Sequence, residues 1–119
     1  MEINGIYIPA GKNRVATQIT RPRDGDYQWN NQLVGCEIGT VVTLMEHTDG
    51  SSIYLWLDDE GLLQQPTPPL NGGASVVANQ RLVGNAVLFK SDSEGEDIPM
   101  RADEIDFWLG EVNRGIVKG

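Results

Sequence analysis

Asn71-Gly72-Gly73-Ala74-Ser75 is the stretch of this sequence best suited to hold a ligand. A helix opening at an Asn cap turns its first backbone N–H groups outward. Two glycines leave no Cβ between those groups and an approaching anion such as a phosphate. Arg81, about two helical turns on, would add a counter-charge. There is no Gly-Lys-Ser/Thr, so the segment is not a P-loop. On this reading Asn71, Gly72, Gly73, Ser75 and Arg81 form a site for a small, nucleotide-like anionic ligand. The competing reading is a plain connector, because the segment follows Pro66-Thr67-Pro68-Pro69 and glycine pairs after proline runs commonly make turns.

A second group is built for surfaces. Asp58, Asp59 and Glu60 follow the apolar run Ile53-Tyr54-Leu55-Trp56-Leu57, so a tryptophan and three carboxylates stand together as a candidate partner surface; aromatic anchors dominate interface energies. Asp92-Ser93-Glu94-Gly95-Glu96-Asp97 has carboxylate oxygens for Ca²⁺, but the twelfth position is Asp103, with Pro99 intervening, and the bidentate Glu of an EF-hand is missing. A charged hairpin tip is the simpler reading, so no metal site is expected. His47, beside Glu46, has the composition of a general base and its carboxylate, yet no motif pairs it with a nucleophile, and a hairpin turn explains it. Cys36 follows a helix end, where the dipole raises rather than lowers a thiol pKa, which favours a structural thiol. These residues predict no catalytic set and no cofactor.

Charge narrows the partners. The 119 residues carry 17 acids against nine Lys or Arg, for a formal charge of −8. Residues 1–50 contribute −2 and residues 51–119 contribute −6. Phosphate backbones and anionic membranes are bound through Lys and Arg, so direct nucleic-acid binding and membrane-surface binding are disfavoured. A basic protein partner is compatible, and so is a role as an acidic DNA mimic, provided the acids line up on one surface. The lone cysteine excludes an intrachain disulfide. The opening Met1-Glu2-Ile3-Asn4-Gly5 has no basic, then apolar, leader pattern, and no apolar run nears the ~20 residues of a membrane span. A cytoplasmic protein of one domain over 1–119 is expected, with residues 110–119 fraying.

The elements that must position these groups follow from punctuation and period. Strands are expected at Ile3–Ile8 and Arg14–Thr20, with Val15, Thr17 and Ile19 on one side, closed by Arg21-Pro22. A helix capped by Asp26 should run to Val34 and stop at Gly35, with Trp29 and Leu33 docking on the sheet. The β-branched run to Leu44 and the run from Ile53 to Leu57 should pair across Asp49-Gly50, and Leu62-Leu63 should add a short return strand. A helix over Ala74–Leu82 closed by Gly84, a strand over Asn85–Lys90 and a helix over Ala102–Leu109 with Ile105, Trp108 and Leu109 inward complete the chain. The prediction is an α+β fold: a mostly antiparallel sheet of five or six strands with two or three short helices on one face. Leu33-Val34-Gly35 and Leu82-Val83-Gly84 each precede a strand, a weak internal echo that common helix-exit chemistry also explains.

Several motifs resemble a known family: Leu33-Val34-Gly35 before a strand, Tyr54 to Leu62, Pro68-Pro69-Leu70-Asn71, Leu82 to Leu88, and the helix at Asp103–Leu109. They are similar to a family of small domains of unknown function found in bacteriophages and in actinobacterial and other mobile elements. The resemblance spans roughly residues 30–109; the hairpin at 3–20 and the glycine pair after Asn71 depart from it. It implies a phage or mobile-element accessory protein and supplies no catalytic residues. The expected function is therefore non-enzymatic binding of a host protein, with a nucleotide-like ligand or DNA mimicry as alternatives and a homodimer through exposed strand edges compatible with both.

Overall fold

A computed structural model describes residues 2–24 and 26–115, apart from the side chains of Asp26, Tyr27 and Leu62. Capping by the Asp26 side chain and docking of Ile116 and Val117 lie outside the described residues.

The elements run β1 (Glu2–Ile8), β2 (Thr17–Pro22), α1 (Asp26–Val34), β3 (Gly39–Glu46), β4 (Ser52–Asp58), α2 (Gly72–Ala78), β5 (Ala86–Ser91), β6 (Asp97–Ile98) and α3 (Ala102–Asn113). Every strand pairing is antiparallel. The order across the sheet is β2-β1-β5-β4-β3, and β6 pairs with β5. The α+β class and the antiparallel sheet agree with the sequence.

Alternation along the central strands builds two cores. Ile53, Leu55 and Leu57 of β4 and Ala86 and Leu88 of β5 share one cluster with Ala74 of α2 and Ile105, Trp108 and Val112 of α3. Tyr54, Trp56, Val87 and Phe89 point the other way and meet Ile3 and Val34, with Leu33 packed alongside. The helices therefore divide, α2 and α3 on one face and α1 on the other, where the sequence reading put them all on one face. Two covered faces explain why Ile53–Leu57 is an unbroken apolar run rather than an alternating one.

Helix ends follow their residues. Gly35, at φ 84°, closes α1, its N–H and that of Cys36 both donating to Asn31 O at 2.8 and 3.0 Å. Asn79, at φ 54°, stops α2 well before Gly84. Glu104 accepts from the Arg101 N–H at 3.0 Å and receives Lys90 Nζ at 2.9 Å, tying the start of α3 to β5.

Other expectations change. The second strand begins at Thr17, leaving Val15 exposed outside it, and takes in Arg21 and Pro22. Pro22 is tolerated because it ends an edge strand. On α1 the inward face is Asn30, Leu33 and Val34, and Trp29 is exposed. Gly61–Leu63 is a 3-10 turn, not a return strand. Residues 110–113 continue α3 instead of fraying.

Candidate functional site

The Asn71–Ser75 segment does form a helix start, but its polar groups face inward. Asn71 is fully buried. Its Nδ2 donates to Ile8 O at 2.8 Å and Gly84 O at 2.9 Å, and its Oδ1 accepts from Ala74 N at 3.0 Å. Ser75 Oγ donates to Leu82 O and accepts from Leu82 N. A Cβ at Gly73 would stand 2.7 Å from Val112 Cγ1 and 3.1 Å from Ile8 Cγ2. Gly73 lets α2 approach α3; it does not open a cradle. Arg81 lies away from them, in a shallow cleft with Thr40, Val42, Asp58 and Asp59. The anion site predicted from Asn71, Gly72, Gly73, Ser75 and Arg81 is therefore not assembled.

The surface group also separates. Asp59 and Glu60 are exposed, but Trp56 is buried, its Nε1 donating to Asn31 Oδ1 at 2.8 Å. Its indole occupies the space a Cβ at Gly39 would need. Asp58 accepts from Glu60 N at 2.9 Å and from Gln64 Nε2, which makes it a turn residue. Ser91 pairs with Ser52 at the start of β4, so the 92–97 turn lies at one end of that strand and Asp58 at the other, about 20 Å apart. Asp92 Oδ1 accepts from the N–H groups of Glu94 and Glu96 within its own turn, as a hairpin tip should. Among the described residues, no group of three or more His, Cys, Asp or Glu could hold a metal ion.

His47 lies in the β3–β4 turn, its N–H donating to Ser51 O at 2.8 Å. Burial, then the nearby Asp58 charge, pushes the Cys36 thiol up from its ordinary pKa, in keeping with a structural role.

What the structure does assemble is a cleft of about 530 Å³ on the α1 side of the sheet. Val41 and Thr43 of β3 form one wall, Ser52, Tyr54 and Trp56 of β4 contribute the floor, and Ser91, Glu96 and Asp97 close the far side. Arg23 and Asp24 stand at the end of β2. A buried polar network fixes this floor. Arg21, 2% exposed, ion-pairs with Asp97, and its guanidinium carbon lies 4.3 Å from the Phe89 ring centroid. Tyr54 OH donates to Asp97 Oδ1 at 2.8 Å and receives Asn30 Nδ2 at 3.4 Å. Burial, then the Asp97 charge, pushes the Tyr54 phenol well above its ordinary value, so it stays protonated as a hydrogen-bond donor. Among the described residues, Arg21 Nε and Asn30 Oδ1 have no hydrogen-bond partner.

Sequence reasoning missed Arg21, Asn30 and Asp97. Arg21 precedes a proline, Asn30 lies in a polar stretch of helix, and Asp97 ends an acidic tip; each local signal says solvent. Only the pairing of β6 with β5 and the packing of α1 bring the three together.

No family model matches this chain, and no curated protein matches it. Among solved structures it is similar to the small RNA methyltransferase HEN1, with a TM-score of 0.63 at 14% identity. The match covers 94% of this chain but 16% of that one, so the likeness is to a fraction of a much longer protein and is one of fold alone.

Proposed function

We propose that this protein is a non-enzymatic accessory protein of a phage or mobile element that acts by docking a host protein at the α1-side cleft. The observation that carries this reading is the cleft's construction: a rigid aromatic floor, Tyr54 and Trp56, beside a strand, β3, that has no buried residue. The Tyr54–Asp97 and Trp56–Asn31 hydrogen bonds hold the floor rigid, so the accessible residues of β3 beside it are presented on a preorganised surface. Tyr54 is kept protonated and Asp97 is paired with Arg21, which supports binding over acid–base chemistry at these two groups. The likeness to a small RNA methyltransferase contributes a fold and no substrate, and a charge of −8 argues against RNA as the ligand.

Thr43→Trp tests the reading. Thr43 is exposed and lines the cleft, so an indole there blocks the cleft without entering a core. Affinity capture from the host should yield a protein that the variant loses at unchanged melting temperature, while Val15→Ser, an exposed substitution outside the cleft, retains it. Identical captures by all three proteins overturn the reading.

A small molecule in the same cleft is the second reading. Its volume falls within the ~300–1,000 Å³ of ligand pockets, and Ser52, Ser91 and Tyr54 converge there. With Asp24, Glu96 and Asp97 against Arg23, the lining no longer favours an anion. Native mass spectrometry that shows a bound mass of a few hundred daltons, lost in Thr43→Trp, would favour this reading.

A further inference from the structure

We infer that β3 is a docking edge for an extended peptide segment of the partner, one that adds a strand to the sheet and carries Lys or Arg. This inference rests on the protein-binding reading above and specifies the partner's chemistry.

The two sheet edges are unequal. β2, on one side, ends in Pro22 and contains Arg21. Proline and inward-pointing charge are devices that close an edge to further pairing. On the other side, β3 has neither. From Gly39 to Met45 it carries no charge and no proline, and Thr40, Val41, Val42 and Thr43 are β-branched. Its eight residues present about 26 Å of edge. A register shift between Thr43 and Met45 is the one feature of the kind that can turn an edge away, and it leaves Gly39–Thr43 as the regular run. Val41 and Met45 are exposed along β3 and Ile38 just before it, and Val41 and Thr43 border the cleft, where an added strand's side chains on that face would settle. Main-chain pairing gives such a complex affinity, and pockets under alternate side chains give it specificity.

Charge decides between a second copy and a basic segment. Glu37 and Glu46 flank the uncharged run and are exposed. In antiparallel self-pairing centred on β3, each glutamate approaches the other copy's opposite-end glutamate, and each copy carries −8. Like charges across a strand pair are destabilising. Asp24 and Glu96 border the cleft, and Asp58 and Asp59 stand near the start of β3, against Arg23 on one face, Arg81 on the other and His47 at the far turn. The surroundings of the edge are net acidic and complement a segment with Lys or Arg near its ends.

A display library of random ten-residue peptides, selected against the full chain and counter-selected against Val41→Lys, tests this. A lysine at Val41 places a positive charge on the edge while altering only an exposed side chain. The expected winners are rich in β-branched residues and in Lys or Arg, and lack internal proline. A winning peptide should bind Val41→Lys on the order of tenfold more weakly. It should protect the amides of Thr40–Met45, not those of Thr17–Arg21, from hydrogen exchange. Acidic or proline-containing winners, protection outside β3, no enrichment over the counter-selection, or a sedimenting dimer that already protects β3 would each overturn the inference. The capture experiment separates the two failures: if Thr43→Trp still loses a host protein while the library yields nothing on β3, the protein-binding reading stands and strand addition falls.

Discussion

Arg21, Asp97, Tyr54 and Asn30 concentrate the fold's electrostatic risk in one place. Removing one partner of a buried ion pair leaves an uncompensated charge, which costs more than the pair contributes. Asp97→Asn should therefore destabilise by about 3 kcal/mol, with Arg21 left beside the Phe89 ring. Tyr54→Phe keeps the ring and loses only the phenol's bonds to Asp97 and Asn30. About 1–2 kcal/mol is expected there. Urea denaturation reads both as shifts in midpoint at constant slope, and a smaller effect for Asp97→Asn than for Tyr54→Phe would contradict the arrangement. Glu104 adds a pH dependence. Burial raises its pKa, but the Arg101 N–H and the Lys90 ammonium outweigh that, and its net shift is below the ordinary 4.5. A depressed folded-state pKa means that its contribution is fully present above the unfolded-state value and is lost as pH falls through the folded-state one. Wild-type stability should decline as pH drops below about 4.5, and Glu104→Gln should be less stable at pH 7 with a shallower decline over the same range.

At the scale of elements, Asn71 is a structural clamp. It caps α2 and holds the end of β1 at Ile8 O and the start of β5 through Gly84 O. Asn71→Ala removes the cap and leaves buried carbonyls without their donor, for an expected loss of about 3 kcal/mol in a urea titration. Asn71→Asp, which can keep the cap but not both donations, should recover only part of it. The sequence showed that a helix starts at Asn71 but not what the start faces. An Asn cap followed by glycines reads alike whether the glycines approach a phosphate or Val112, and the choice is made by α3, far along the chain. Gly73→Val would thus disrupt α2–α3 packing, so lost ligand binding in that variant would report misfolding. Trp56 was ambiguous for a related reason. In a strand covered on both faces the period-two signal vanishes, so an interface tryptophan and a core tryptophan look the same. The elements that were legible, α1 with its Gly35 stop and the β3–β4 hairpin over Asp49-Gly50, are those whose signals are local.

For the whole molecule, the sheet order ranks the strands by how deeply they are held. β5 lies between β1 and β4, and its residues Ala86–Phe89 are buried on both faces. β2 and β3 are edges, and β3 has no buried residue. Amides buried within paired strands exchange only when the whole domain opens, whereas edges open through smaller fluctuations. Hydrogen exchange should therefore place Leu55, Val87 and Leu88 among the slowest amides, with opening free energies equal to the global stability from urea. Exchange in β3 should be faster and nearly independent of urea at low concentration, since little surface is exposed when an edge frays. The same measurement at two protein concentrations bears on assembly. If β3 exchanges as slowly as β5 and slows further as concentration rises, another copy of the chain already covers that edge. If its exchange is fast at both concentrations, the edge is open in the isolated protein and free to take a strand from a partner.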